Sequence, residues 1–337
     1  MQDKLIFLIG VMRSGSTMLA RMLGAHSHVH SPAEPHLITP LAHLGYFEKV
    51  DQAGYDPAIT QRAARALVQS LPAGEADYLE ALRGYTDSVY AKLLAPSGRP
   101  LLLDKTPAYA LVLDFLTQLY PNARYVVLTR NPMAVWSSYV ESFFDGDHAV
   151  AHAHNPVLER YVPAIGRFLR DRSVPFVHVR YEDLVQAPEP QAQRLCDHLE
   201  IPFEPSMVTY GETSGGKTET PRGLGDPVSA AREKRPTTKS LEKWTNALEG
   251  NPSKVLQCQQ ILDTLYDEDL QSWGYERSDL AASLNAIDTE GPVHESTSWS
   301  RHALERRLLV GLRRNIHENA FGRVVQRVRD VCDVLLR

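Results

Sequence analysis

The chain has 337 residues, 43% of them hydrophobic and 23% charged, with a net charge of −5. That is the balance of an ordinary soluble globular protein, and a body of this size buries about 75% of its unfolded surface, as one large domain with an appendage or two modest domains. Cys196, Cys258 and Cys332 are far apart and odd in number, which argues against a disulfide framework or a thiolate zinc site and predicts a reducing, cytoplasmic setting.

In chain order, strand and helix signals alternate. "KLIFLIG" (4–10) is a continuous apolar run, as expected of a strand covered on both faces. It is too short to cross a bilayer and lacks the basic leader and cleavage site of an export signal. "STMLARMLGAH" follows with helical spacing at Met18, Leu19, Met22 and Leu23. Residues 40–97 are mostly helical in pattern, as in "TQRAARALVQSL" and "DYLEALRGYTDSVYAKLLA", and predict a helical insertion over one edge of a sheet. "RPLLLD" (99–104) and "ARYVVLTR" (123–130) are further buried strands, separated by the helix-like "YALVLDFLTQLYP", and "VPFVHVRYEDL" (174–184) is a fourth. The alternation predicts an α/β fold, a central parallel sheet flanked by helices.

Residues 211–240, rich in Gly, Pro, Thr and charge, read as a long loop. The expected organisation is a main domain over 1–285, a linker over 286–300 and a helical extension over 301–337. That extension carries apolar residues at Leu304, Leu308, Leu312 and Ile316, then Val324, Val328, Val331 and Leu335. It also holds nine Arg, no Lys and four acidic residues, a local +5 that leaves residues 1–300 at −10.

The turn between the first strand and first helix is "GVMRSGST" (10–17). Gly10 and Gly15 have phosphate-loop spacing, but Ser16 stands where a nucleotide triphosphatase carries lysine, and Arg13 lies inside the loop. Backbone N–H groups at a helix N-terminus favour an anion. Without the lysine a triphosphate grip is not expected, whereas the fork of Arg13 suits a tetrahedral oxyanion. The spacing alone reads equally well as a strand-to-helix turn without a ligand. A second segment, "LTRNPMAVWSSY" (128–139), places Arg130 at a strand end, Pro132 at a helix start, and Ser137 and Ser138 two turns on. Strand ends at one edge of a parallel sheet are where ligands collect, and Arg130 with Ser138 could grip a second phosphate.

The two segments, in this order, resemble the sulfotransferases that use 3′-phosphoadenosine 5′-phosphosulfate (PAPS). "MRSGST" is similar to the family's first loop, which implies that Arg13, Ser14, Gly15, Ser16 and Thr17 take the 5′-phosphosulfate. "RNPMAVWSS" is similar to its Arg with a Ser eight positions on, which implies that Arg130 and Ser138 take the 3′-phosphate. A sulfated nucleotide has no β,γ pair for the missing lysine to reach. "LLLDKTPAY" (101–109) resembles the Lys-bearing strand end of the tyrosylprotein and polyketide-type branches and implies Lys105 at the transferring sulfuryl group. "RYEDLV" (180–185) resembles a common family strand and helix. "TTKSLEKWT" (237–245) is similar to a late family segment and implies Ser240 as a donor to the 5′ end. Arg222 and Arg232 fall where the family closes over the nucleotide and are candidate 3′-phosphate contacts.

An attacking hydroxyl needs a base within hydrogen-bond reach. Many cytosolic members carry a His two residues after this Lys, but here Pro107 occupies that place. The other branch uses a Glu about twenty residues past the loop arginine, and "HSPAEPHL" supplies Glu34, which the resemblance makes the base. The resemblance spans residues 4–275 and implies a P-loop sulfotransferase fold, with adenosine 3′,5′-bisphosphate (PAP) as product and no metal required.

The first 140 residues are most similar to the branch that sulfates β-hydroxyl groups of polyketide or fatty acyl chains. This implies a lipid-like or carrier-bound acyl alcohol as acceptor; sugars, steroids and phenols stay open. The arginine-rich extension reads as a helical hairpin packed on the body or on a second subunit of a homodimer. It reads also as a dock for an acidic partner protein or an anionic membrane. No nucleic-acid partner is implied. His26, His28 and His30, and "DGDHAVAHAH" (145–154), are the places where a zinc ion would bind if one did. Two rival readings are a P-loop kinase using ATP and magnesium, with Asp104 as the magnesium-side strand end, and a non-catalytic nucleotide-binding regulator.

Overall fold

The computed structural model describes residues 1–44, 46–47, 57–213 and 234–290. Among them, β1 (Leu5–Ile9), β2 (Val29–His30), β3 (Leu101–Asp104), β4 (Arg124–Thr129) and β5 (Phe176–Arg180) form one sheet in the order β2-β3-β1-β4-β5. Every neighbouring pair is parallel. Each crossover therefore needs a helical return, and the helices follow in turn. They are α1 (Ser16–Gly24), α2 (Ile38–Ala42), α3 (Pro57–Ser70), α4 (Glu75–Leu94), α5 (Leu113–Leu119), α6 (Pro132–Phe144), α7 (His148–His154) and α8 (Val157–Asp171). After β5 come α9 (Tyr181–Gln186), α10 (Pro188–Leu199), α11 (Tyr210–Thr213), α12 (Lys243–Leu248), α13 (Pro252–Thr264), α14 (Asp267–Trp273) and α15 (Arg277–Asn285).

This is the α/β architecture expected from the alternating pattern. The two-residue strand β2 had no period to betray it, and "YALVLDFLTQLYP" divides into a 3-10 turn, Pro107–Leu111, and α5. Arg222, Arg232 and the extension 301–337 lie outside the described residues. No helix among the described residues is long and apolar enough to cross a membrane.

The described residues fall into two compact units, one drawn from Met1–Asn131, Arg160–Leu241 and Leu265–Arg277, the other from Pro132–Glu159, Glu242–Thr264 and the described residues from Ser278 onward. The sheet lies in the first. Both faces of β1 are closed to solvent: Ile6 and Leu8 pack with Met18, Leu19 and Met22 of α1 and Leu195 and Leu199 of α10. On the opposite face Phe7 meets Tyr120 at 5.5 Å and Tyr125 at 5.7 Å between ring centroids, with Tyr90 and Tyr109 slightly farther. Each such fully buried side chain stabilises the fold by about 2 kcal/mol. In the second unit, buried Trp136 donates its indole N–H to His148 Nδ1 at 3.0 Å, and burial holds the His148 pKa down at about 4.

Asp104, at the end of β3, is fully buried. Its carboxylate accepts hydroxyls from Tyr90 at 2.7 Å, Tyr109 at 3.0 Å and Thr106 at 2.9 Å. Burial nevertheless wins, and the pKa rises from 3.8 to about 6. Between those values the folded chain holds a proton that the unfolded chain has released, so this group's contribution to stability is lost as pH rises from about 4 through 6. Asp104→Asn removes the titration. Urea unfolding from pH 4 to 7 is expected to show the variant gaining on the wild type by up to about 3 kcal/mol.

Candidate active site

Because β3 and β4 both run parallel to β1 and pair with it, their C-terminal ends lie side by side at one sheet edge. The β1 end leads into Gly10–Gly15, the β3 end into Lys105, and the β4 end into Arg130. Local backbone chemistry shapes the first of these. Gly15 has φ 94°, and a Cβ there would fall 2.4 Å from the Tyr181 ring, so only glycine fits. Arg13 also adopts a left-handed φ of 68°. Gly15 is the N-cap of α1 and no side chain caps that helix, which leaves its first-turn amides for an anion.

The loop is stitched to the rest of the site by Arg130. Its Nη1 donates to the Arg13 carbonyl at 3.0 Å and its Nη2 to the Ser240 carbonyl at 3.1 Å. The guanidinium carbon stands 4.4 Å from the Tyr181 ring centroid, a cation–π contact. Tyr181 also shares a hydrogen bond of 2.5 Å with the Ser240 hydroxyl. Burial lowers the Arg130 pKa, while Tyr181 and Glu182 oppose the loss. Two buried polar atoms here have no hydrogen-bond partner among the described residues, Ser14 Oγ and Arg130 Nε. Such groups cost about 1–3 kcal/mol each when left unmet, and both suit an anion acceptor.

Lys105 forms the other half of the site. Its ammonium pairs with Glu34 Oε1, both side chains being almost out of solvent at 9% and 11% exposure, and lies 3.4 Å from the Thr17 hydroxyl in the first turn of α1. Glu34 Oε2 stands 3.4 Å from His36 Nε2. A carboxylate thus sits beside a cation at the mouth of a phosphate-type loop.

The structure brings Arg13, Ser14, Gly15, Ser16, Thr17, Glu34, Lys105, Arg130 and Ser240 into the first unit; Ser138 lies on α6, in the second. Asp104 does not serve as a magnesium-side residue, since its oxygens are taken by three hydroxyls in a closed interior. His26 is buried with Nε2 on the Pro202 carbonyl at 2.7 Å and Nδ1 taking the His28 amide at 2.9 Å, so neither nitrogen is offered to a metal. His148 is engaged by Trp136 and His152 by Glu159. No group of three metal-ligating side chains is assembled among the described residues. Sequence reasoning missed Tyr181. The signal was there in a tyrosine directly after a buried strand, but its contacts with Gly15, Arg130 and Ser240 exist only in three dimensions.

Comparison with known proteins gives the family. The model of the Sulfotransferase family matches residues 6–205. Nodulation protein NoeE of Sinorhizobium fredii is 29% identical over 295 residues, covering 81% of this chain and 66% of its own length. Protein-tyrosine sulfotransferase A of Caenorhabditis elegans is 23% identical over 223 residues, covering 62% of this chain and 53% of its own. The solved sulfotransferase domain of the Synechococcus PCC 7002 olefin synthase superposes with a TM-score of 0.50 at 25% identity, covering 77% of this chain and 93% of that domain. With the family model spanning more than half of the sequence, the chain belongs to the sulfotransferase family.

Proposed function

We propose that this protein moves a sulfuryl group from PAPS to an acceptor hydroxyl, with a lipid-like or carrier-bound acyl alcohol as the favoured acceptor. The observation that carries the reading is the Lys105–Glu34 pair set against an uncapped, lysine-free glycine loop. The donor, when bound, supplies an activated sulfuryl group on a phosphate leaving group.

The residues divide the work as follows. Glu34 takes the proton of the attacking hydroxyl. Arg13, Lys105 and the amides at the start of α1 hold the negative charge that grows on the leaving phosphate, as fixed donors do in a transition state. Lys105 leaves Glu34 to do so, which frees the carboxylate to act as base. Ser14 Oγ and Arg130 Nε, unpartnered among the described residues, are met by the donor's oxyanions. Ser240, held by Tyr181, would steady the 5′ end, and Arg130, stacked on the same ring, would hold the 3′-phosphate. Ser138 joins this set on its sequence spacing, as do Arg222 and Arg232. No metal is required by this scheme.

The kinase reading loses its magnesium-side residue, because Asp104 is consumed by the core. A thermal-shift comparison separates the sulfotransferase from the kinase, and transfer from labelled PAPS separates it from a regulator that binds the nucleotide without transferring sulfate. PAP at about 100-fold excess over its dissociation constant stabilises by about 2.7 kcal/mol, a rise of about 5 °C, whereas ATP with magnesium is expected to leave the midpoint in place. Stabilisation by ATP with magnesium alone would refute the reading. Glu34→Gln is expected to lose about 10²- to 10⁴-fold in transfer from labelled PAPS while keeping the PAP-induced shift; wild-type turnover in that variant would remove Glu34 from its role.

A further inference from the structure

We propose that Asp104 is a positioning residue that fixes where Glu34 and Lys105 stand relative to each other. The inference deepens the sulfotransferase reading and rests on it for its catalytic consequence.

Asp104 immediately precedes Lys105 and is fully buried. Oδ2 accepts the Tyr90 and Tyr109 hydroxyls at 2.7 and 3.0 Å, and Oδ1 accepts the Thr106 hydroxyl at 2.9 Å. An ionised carboxylate can only accept, so each hydroxyl must turn its single proton inward. The lone pairs of Thr106 and Tyr109 are then left to face outward, and both are used. The Ile38 amide donates to the Tyr109 oxygen at 3.1 Å, and the His36 amide donates to Thr106 Oγ1 at 3.4 Å.

These amides lie two and four residues beyond Glu34. The loop that carries the base therefore hangs on the same buried carboxylate that ends the strand carrying the cation. Of the two tethers, the Tyr109–Ile38 bond is the shorter and the more enclosed, with both residues at 0% exposure. The His36 tether has a second effect, since it holds in place the residue whose ring nitrogen faces Glu34 Oε2 at 3.4 Å. Tyr90 binds the same carboxylate from α4 but, among the described residues, accepts no loop amide, so the hub contains its own control.

The test compares Tyr109→Phe, Thr106→Val and Tyr90→Phe in the full chain. Each loses one hydroxyl from Asp104, so a purely structural role predicts similar effects from all three. The readouts are urea stability, amide hydrogen exchange at His36 and Ile38, PAP affinity, and kcat and KM for transfer from PAPS to a panel of hydroxyl acceptors. The tether account expects Tyr109→Phe and Thr106→Val to speed exchange at those amides and to lower kcat by about 10- to 100-fold, with PAP affinity and donor KM nearly unchanged. Tyr90→Phe is expected to lose stability while keeping amide protection and kcat. The proposal is overturned if Tyr90→Phe lowers kcat as far as Tyr109→Phe, or if both tether variants keep wild-type kcat. A wild-type chain that transfers no sulfuryl group from PAPS would instead refute the sulfotransferase reading, and amide exchange would then decide the tether by itself.

Discussion

The pairing of β1 with β3 on one side and β4 on the other, all parallel, is the constraint from which the site follows. It is enforced by apolar side chains that leave no residue of β1 more than 1% exposed. Once those three strands are in register, three chain segments must leave the sheet at the same edge. One brings a glycine loop, one a lysine and one an arginine. No single element makes the site, and no local sequence preference could make it alone.

Two of the cations at that edge are held in different ways. Arg130 spends its fork on two carbonyls and its flat face on Tyr181, which keeps it in place without cancelling its charge. Lys105 differs, because its charge is balanced by Glu34. The two cations thus differ in their surroundings: Arg130 is fixed by uncharged groups, whereas Lys105 is paired with a carboxylate, and the proposed role of Glu34 as base requires that pair to open. Beneath the pair, the Asp104 hub gives the loop around Glu34 and the end of β3 a common anchor.

Much of this was legible in the sequence because buried parallel strands read as continuous apolar runs, and because Gly10 and Gly15 mark a turn that few other residues could make. "KLIFLIG", "RPLLLD", "ARYVVLTR" and "VPFVHVRYEDL" all contain strands of the sheet. Other features were hidden for definite reasons. Two residues of β2 carry no periodicity. Tyr181 acts through residues 51 and 59 positions away, Arg130 and Ser240. Asp104 looked like a metal-side carboxylate because it ends an apolar strand, and only folding brings Tyr90, fourteen residues earlier, onto its oxygens together with Thr106 and Tyr109.

The central claim is that the loop Gly10–Gly15 and Arg130 receive the two ends of a doubly phosphorylated adenosine. A crystal structure of the chain grown with PAP tests it most directly. The account predicts the 5′-phosphate against Ser14 and the first amides of α1, with the 3′-phosphate on the side of Arg130. A well-ordered loop with the nucleotide bound elsewhere, or not bound at all at saturating concentration, would contradict it.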